Sequence, residues 1–287
     1  MTDTKTEPLT CMVCGHTEFR ERWPGLIACK ECDFLTTDMS RYSDEDFSKL
    51  YGHDYFHGDE YHDYIAEKPI TQRSFRLRMR KLEPLLDPNR HRKVLEVGCA
   101  YGFFLDAIRD RFESATGVDV SEAAVEYARE QGLDARLGDL PALALDPAYD
   151  LACMWDTIEH LPNPDAHLAR IAELTKPGAL LTITTGDIGS PLARLRGRSW
   201  RLIHPPTHLH YFSEETLTKL VEKHGFRVRH SSYCGGFRSL EFAANFIFNI
   251  RWKKPALYRA AQKTGLLKFA PYVNMFDIRY IIAEKIR

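Results

Sequence analysis

Val94-Leu95-Glu96-Val97-Gly98-Cys99-Ala100-Tyr101-Gly102-Phe103-Phe104-Leu105 decides how the rest of the chain is read. Its first four residues are a short, mostly apolar run of the kind that forms a buried strand. A turn of small residues follows. Phe103, Phe104, Ala107 and Ile108 then fall on one face of a helix. A strand that runs through glycines into a helix is expected to leave backbone N–H groups at the helix start for the polar end of a nucleotide-like ligand. A dinucleotide-binding turn would be spaced Gly-x-Gly-x-x-Gly. Counted from Gly98, its second and third glycines fall on Ala100 and Phe103, so that pattern is absent. The pattern present is acidic-x-Gly-x-Ala-x-Gly, in Glu96, Gly98, Ala100 and Gly102.

Working outward, strand and helix patterns alternate, which predicts a parallel α/β sheet. Ala115 to Val120 reads as a strand ending in Asp119, 21 positions after Gly98. In this architecture an acid at that distance accepts from vicinal ribose hydroxyls. Ser121 caps a helix over Glu122 to Gln131. A short strand, Ala135 to Leu137, leads into Gly138-Asp139-Leu140, and Tyr149 to Trp155 is a fourth strand. Asp156-Thr-Ile-Glu159-His160 lies at its carboxyl end, where open α/β sheets place their chemistry. Asn163 and Pro164 start a helix that stops at Lys176-Pro-Gly, and Ala179 to Thr185 is a fifth strand.

These ordered motifs together resemble the class I S-adenosylmethionine-dependent methyltransferases, in particular the subgroup of ubiquinone-biosynthesis O-methyltransferases and many sugar and natural-product methyltransferases. Ala100 stands where many members carry glycine. The resemblance implies a Rossmann-like sheet, mostly parallel with the last strand (Asp277 to Ala283) antiparallel. It implies S-adenosylmethionine as cofactor. That molecule is a sulfonium and an ammonium without phosphate, which suits a carboxylate ahead of the turn. The cofactor residues are then Glu96, Gly98, Cys99, Ala100 and Gly102 at the turn, Asp119 and Val120 at the ribose, Asp139 and Leu140 at the adenine, and Trp155 and Asp156 after the fourth strand. A bare structural turn at Gly98 and a merely turn-forming Asp139 are the bland alternatives.

Cys11-x2-Cys14 and Cys29-x2-Cys32 form a second motif. Two such pairs can complete a tetrahedral zinc site, and the hairpin between them offers little apolar content beyond Trp23, Leu26 and Ile27. Zinc is therefore expected to supply the ribbon's folding energy. A redox dithiol is the alternative, and His16 is a bystander. The expected organisation is a ribbon over 1–40, a lid and linker over 41–90, and a main domain over 91–287 with an insertion at about 232–270. Residues 41–68 mix tyrosines, acids and His53, His57 and His62, reading either as a lid or as a layer joining ribbon to domain. Pro69 to Leu86 predicts a helix, and Arg73 on it is the candidate anion contact.

Methyl transfer to a hydroxyl needs in-line alignment and removal of a proton. His160, His208 and His210 are the candidate bases. Asp156, Glu159 and His160, completed by His208 or His210, also resemble a divalent-metal variant of the motif. The preferred acceptor is a small-molecule or glycan hydroxyl. An RNA methyltransferase using the ribbon and Arg194 to Arg201 competes with it, as does a non-enzymatic cofactor-binding scaffold. Nucleic acid is disfavoured by a net charge of −1 and the acidic stretch 44–63. No run of 18 apolar residues is present, Met1 to Leu9 has no secretory core and reads as disordered, and seven cysteines without a disulfide framework point to a reducing, cytoplasmic setting. The sequence does not fix the oligomeric state.

Overall fold

The computed structural model of the protein describes residues 9–42 and 65–286. The proposed lid residues 43–64, with His53, His57 and His62, and the opening residues 1–8 lie outside the described residues. Strands β1 (Phe19–Trp23), β2 (Leu26–Cys29) and β3 (Leu35–Thr37) form an antiparallel meander, with Phe19 opposite Cys29 and Leu26 opposite Thr37. The cysteine pairs sit in tight turns flanking it. Gly15 N–H donates to the Cys11 carbonyl at 2.8 Å, and Asp33 N–H to that of Cys29 at 3.1 Å.

Helix α1 (Lys68–Leu82) ends earlier than the apolar spacing implies. Pro84 lacks an N–H and its ring crowds the preceding turn, so residues Glu83–Leu85 tighten into a 3₁₀ turn. Then follow β4 (Lys93–Val97), α2 (Phe103–Ile108), β5 (Ser114–Asp119), α3 (Glu122–Glu130), β6 (Asp134–Leu137), β7 (Tyr149–Trp155), α4 (Pro164–Leu174) and β8 (Thr175–Gly186). After α5 (Pro191–Arg196) come β9 (His210–Tyr211), α6 (Glu214–Lys223), β10 (Phe226–Phe237), α7 (Leu240–Asn245), α8 (Pro255–Lys263) and β11 (Tyr272–Lys285). The expected caps at Ser121 and Asn163 form, each accepting a backbone N–H at a helix start, and Ser213 does the same for α6.

The large sheet has the order β10-β11-β8-β7-β4-β5-β6. β4 through β8 pair in parallel and β11 is antiparallel to both neighbours, the expected Rossmann-like arrangement. Every residue of the central strand β7 is buried, as a strand covered by helices on both faces requires. The strands β10 and β11 are longer than their sequences imply, pairing out to Phe237 opposite Tyr272. Serines and glycines between Ser231 and Gly236 are poor strand formers, and the cross-strand ladder overrides them. The pairing thus runs past Ser232, where the insertion was expected to begin, as far as Phe237.

β9 does not join the large sheet. It extends the ribbon's meander, with Leu35 opposite Tyr211 and Thr36 opposite His210. Val13, Cys29 and Phe34 share a core with Phe212, Leu217 and Val221, while Leu26, Ala28 and Leu35 share another with Trp200, Ile203 and Tyr211. Fully burying a side chain such as Phe34 or Leu35 contributes about 1.5–3 kcal/mol. Burial against the main domain therefore stabilises the ribbon alongside its cysteines, a source the hairpin's own composition does not reveal.

Candidate functional site

A cavity of about 660 Å³ opens beyond the carboxyl ends of β4 and β7, where the strand order reverses. Gly98, Ala100, Asp119, Val120, Asp139, Leu140, Trp155, Asp156 and His160 line it. Cys99 and Gly102 lie behind the wall, Cys99 against Gly117 of β5 and Gly102 against Leu133. Arg73 is not on the wall either: its guanidinium stacks 3.9 Å above the Phe237 ring, whose other surroundings include the cavity.

The turn is tight for a physical reason. Gly98 has φ +75°, and a Cβ there would stand 2.4 Å from Thr157 Cγ2. Ala100 holds φ +45°, a left-handed conformation that costs an L-residue roughly 1–2 kcal/mol. Its N–H donates to Asp119 Oδ2 at 2.7 Å. Gly98 and Cys99 N–H both donate to the Val118 carbonyl, at 2.8 and 3.1 Å. The turn's Gly98, Cys99 and Ala100 donors are therefore already used, and a carboxylate sits where a phosphate would need them. Glu96 supplies less of this hostility than its position in the motif implies. It is 2% exposed within β4, and burial, then the Asp119 charge, lifts its pKa well above the carboxylate range. The acidic edge of the cavity belongs to Asp119, Asp139 and Asp156.

Two wall residues escaped the sequence reading. Arg78 of α1 pairs with Asp156 at 2.7 Å and lies 5.5 Å from the Trp155 ring centroid. Burial pushes the Asp156 carboxyl up, but the Arg78 charge outweighs it and holds the group below its usual range. Among the six basic residues on α1, Arg78 falls beside Phe75, Met79 and Leu82 on the inward face, a signal that helical spacing contains. His167 Nε2 lies 2.7 Å from Asp139 Oδ1, and its Nδ1 lies 2.9 Å from the Asn163 carbonyl. It sits one turn after the Asn163 cap.

A second cavity of about 590 Å³ adjoins the first, and Arg78, Asp156, His160 and Arg238 line both. Beyond this junction stand Glu159, His204 and His208. Ligand-capable atoms of Glu159, His160 and His208 lie within 4.8 Å of one another. His160 Nδ1 is 2.8 Å from the Thr207 carbonyl, which only accepts, so Nδ1 carries the proton and the ring's lone pair is on Nε2. Burial lowers the His160 pKa to about 4, and burial with neighbouring imidazoles holds His208 far below the ordinary histidine range. Burial and the Asp156 charge push Glu159 up to about 8. His210 is elsewhere. It lines neither cavity, with Nδ1 3.0 Å from Thr36 Oγ1 and its ring stacked 5.8 Å from Phe34. Pairing of β9 with β3 turns it toward the ribbon.

The ribbon grips this histidine loop. Thr37 Oγ1 donates to the His208 carbonyl at 3.1 Å and Thr37 N–H to that of Leu209 at 2.8 Å, while Leu209 N–H donates to the Glu159 carbonyl at 2.8 Å. At its far end, Cys11 and Cys32 sulfurs are 3.6 Å apart, as are those of Cys14 and Cys29, and all four lie within 4.8 Å. A tetrahedral zinc–thiolate site with bonds of about 2.3 Å has sulfur–sulfur edges of about 3.8 Å. The four thiols fit such an ion.

A family model described as a methyltransferase domain matches residues 70–231. The ubiquinone biosynthesis O-methyltransferase of Bordetella avium is 30% identical over 117 residues, 38% of this chain and 48% of that protein. The protein of the same name from an Azoarcus species is 34% identical over 102 residues, 33% of this chain and 44% of that one. The chain spans about half the length of the curated relatives it matches. Among solved structures, a SAM-dependent methyltransferase from Archaeoglobus fulgidus superposes with a TM-score of 0.51 at 20% identity, covering 77% of this chain and 99% of that one. Phosphoethanolamine N-methyltransferase 2 of Haemonchus contortus gives 0.55 at 16% identity, covering 82% and 60%. At these identities the likeness is one of fold.

Proposed function

Because the chain belongs to the methyltransferase-domain family, we propose that it transfers a methyl group from S-adenosylmethionine to a hydroxyl of a small molecule or glycan, with His160 as general base. The observation that carries this reading is the meeting of two cavities at His160, Asp156, Arg78 and Arg238. S-adenosylmethionine supplies an electrophilic methyl on a positively charged sulfur. The first cavity suits it: a carboxylate for the ribose diol at Asp119, one for the adenine amino group at Asp139, and a third at Asp156 beside the cationic centre. The second cavity takes the acceptor. His160, neutral by burial and fixed in one tautomer by Thr207, presents Nε2 as the base. General-base catalysis of this kind contributes about 10²–10⁴-fold. Cys11, Cys14, Cys29 and Cys32 hold a structural zinc ion, which ties the ribbon that grips His208.

The test is calorimetry with S-adenosylhomocysteine, combined with labelled-methyl incorporation across a panel of hydroxyl compounds. Wild type is expected to bind and to label at least one. His160→Ala should bind equally well and label about 10²–10⁴-fold more slowly. Absence of binding by the wild type would end the proposal. A second reading rests on the proximity of Glu159, His160 and His208: a divalent cation there would polarise the acceptor oxygen. Transfer that is lost to a chelator and restored by one particular metal would favour it. The nucleic-acid reading draws little from the basic stretch, since Arg201 pairs with buried Asp277 at 2.9 Å and Arg198 donates to the Ile203 carbonyl.

A further inference from the structure

Residues 242–276 contain no Asp or Glu and six cations: Arg251, Lys253, Lys254, Arg259, Lys263 and Lys268. The whole chain has a net charge of −1, so this stretch is a marked local excess. Over the same stretch large apolar side chains stand in solvent. Trp252 is 53% exposed, Leu257 44%, Leu266 60%, Phe269 64% and Phe276 60%. α8 buries none of its residues, and is held to α7 by Tyr258 and Gln262, which both donate to Glu241. Large apolar side chains left open together over one stretch of a folded chain mark a contact face.

We propose that this face docks on the surface of an anionic lipid bilayer. Three occupants meet its chemistry differently. A second copy of the chain would bring the same patch to itself in a two-fold contact, setting six cations against six. Nucleic acid would satisfy the cations and could stack on Trp252 or Phe269, but it offers no hydrocarbon to Leu257, Leu266 or Met275. A bilayer interface accepts both halves of the pattern, with aromatic and aliphatic groups entering the acyl boundary and Lys and Arg meeting acidic headgroups. Among the described residues no helix is long and apolar enough to span, so the contact is peripheral. Val273 and Met275, exposed in the same stretch, also line the second cavity. Docking therefore brings the mouth of that cavity to the lipid surface. The inference does not depend on the reaction proposed above.

The test is flotation of the full-length protein with phosphatidylcholine vesicles, with and without about 30 mol% phosphatidylglycerol. Binding is expected only with the anionic vesicles, and raised salt should weaken it. Lys253→Glu with Lys254→Glu should reduce the bound fraction by about tenfold, and Trp252→Ser with Phe269→Ser should do likewise. These side chains are exposed, so unchanged thermal melts are expected and separate lost docking from lost folding. Brominated lipid should quench the wild type more than Trp252→Phe. Absence of flotation with anionic vesicles overturns the proposal. So does flotation indifferent to both paired variants, tighter binding to an RNA oligonucleotide than to vesicles, or a solution dimer that the same variants dissolve.

Discussion

A single methyl group added at Gly98 tests the geometry of the cofactor turn. In Gly98→Ala the new Cβ would lie 2.4 Å from Thr157 Cγ2 and 2.6 Å from its Oγ1, on a backbone at φ +75°. The left-handed conformation costs an alanine about 1–2 kcal/mol. Overpacking against Thr157 adds about 1–3 kcal/mol. Reduced freedom of the unfolded chain returns about 0.4–1 kcal/mol. The expected loss is therefore about 1–5 kcal/mol, centred near 3. Thr157→Ala alone forfeits the hydrogen bond from Thr157 Oγ1 to the Trp155 carbonyl at 3.2 Å, about 1 kcal/mol. In the double variant the two closest atoms are gone, leaving the backbone strain and a 3.1 Å approach to the Cβ of residue 157. Urea unfolding of the four proteins should then show a favourable coupling of about 1–3 kcal/mol between the sites. Simple additivity, with coupling below about 0.5 kcal/mol, would refute the close approach of Thr157 to the turn.

Other expectations concern charge, the ribbon and its metal. Glu96 holds its proton more tightly folded than unfolded, so raising pH above its ordinary value of 4.5 costs wild-type stability, progressively, until the folded group also ionises. Glu96→Gln should match wild type at lower pH and exceed it increasingly as pH rises; parallel stability curves would count against the burial effect. Thr37→Val removes the donor to the His208 carbonyl, about 1–3 kcal/mol at a buried site. Methyl transfer should slow while S-adenosylhomocysteine affinity stays within about twofold, and a change confined to affinity would contradict the placement. Elemental analysis should find one zinc per chain, and Cys14→Ala should release it. Amide exchange should then accelerate together in residues 35–37 and 209–211, and acceleration of the first segment alone would show that β3 and β9 are not coupled.

The alternation of β4, α2, β5, α3, β6, β7, α4 and β8 could be read in the sequence because β4, β5, β7 and β8 carry apolar runs and α3 and α4 carry side-chain caps at their starts. The cavity wall followed from the same pattern, since the ends of β4, β5 and β7 put Gly98, Asp119 and Asp156 at one sheet edge. What escaped depends on contacts far apart in the chain. Arg78 was one basic residue among six on α1 until Asp156, 78 positions away, singled it out. His210 looked equivalent to His208 until β9 paired with β3 and turned it to Phe34. Free N–H groups at the helix start were inferred from local geometry, but in the turn before it the Val118 carbonyl and the Asp119 carboxylate, supplied by a neighbouring strand, use those of Gly98, Cys99 and Ala100.

The pairing of β3 with β9 also sets an order of events during synthesis. Thr36 leaves the ribosome 174 residues before His210. At about 5–20 residues per second that interval is roughly 9–35 s. Through it the four thiols stand without the apolar wall later formed by Phe212, Leu217 and Val221. A metal ion captured by the nascent chain would protect them from oxidation and hold the meander ready as a template on which the histidine loop closes.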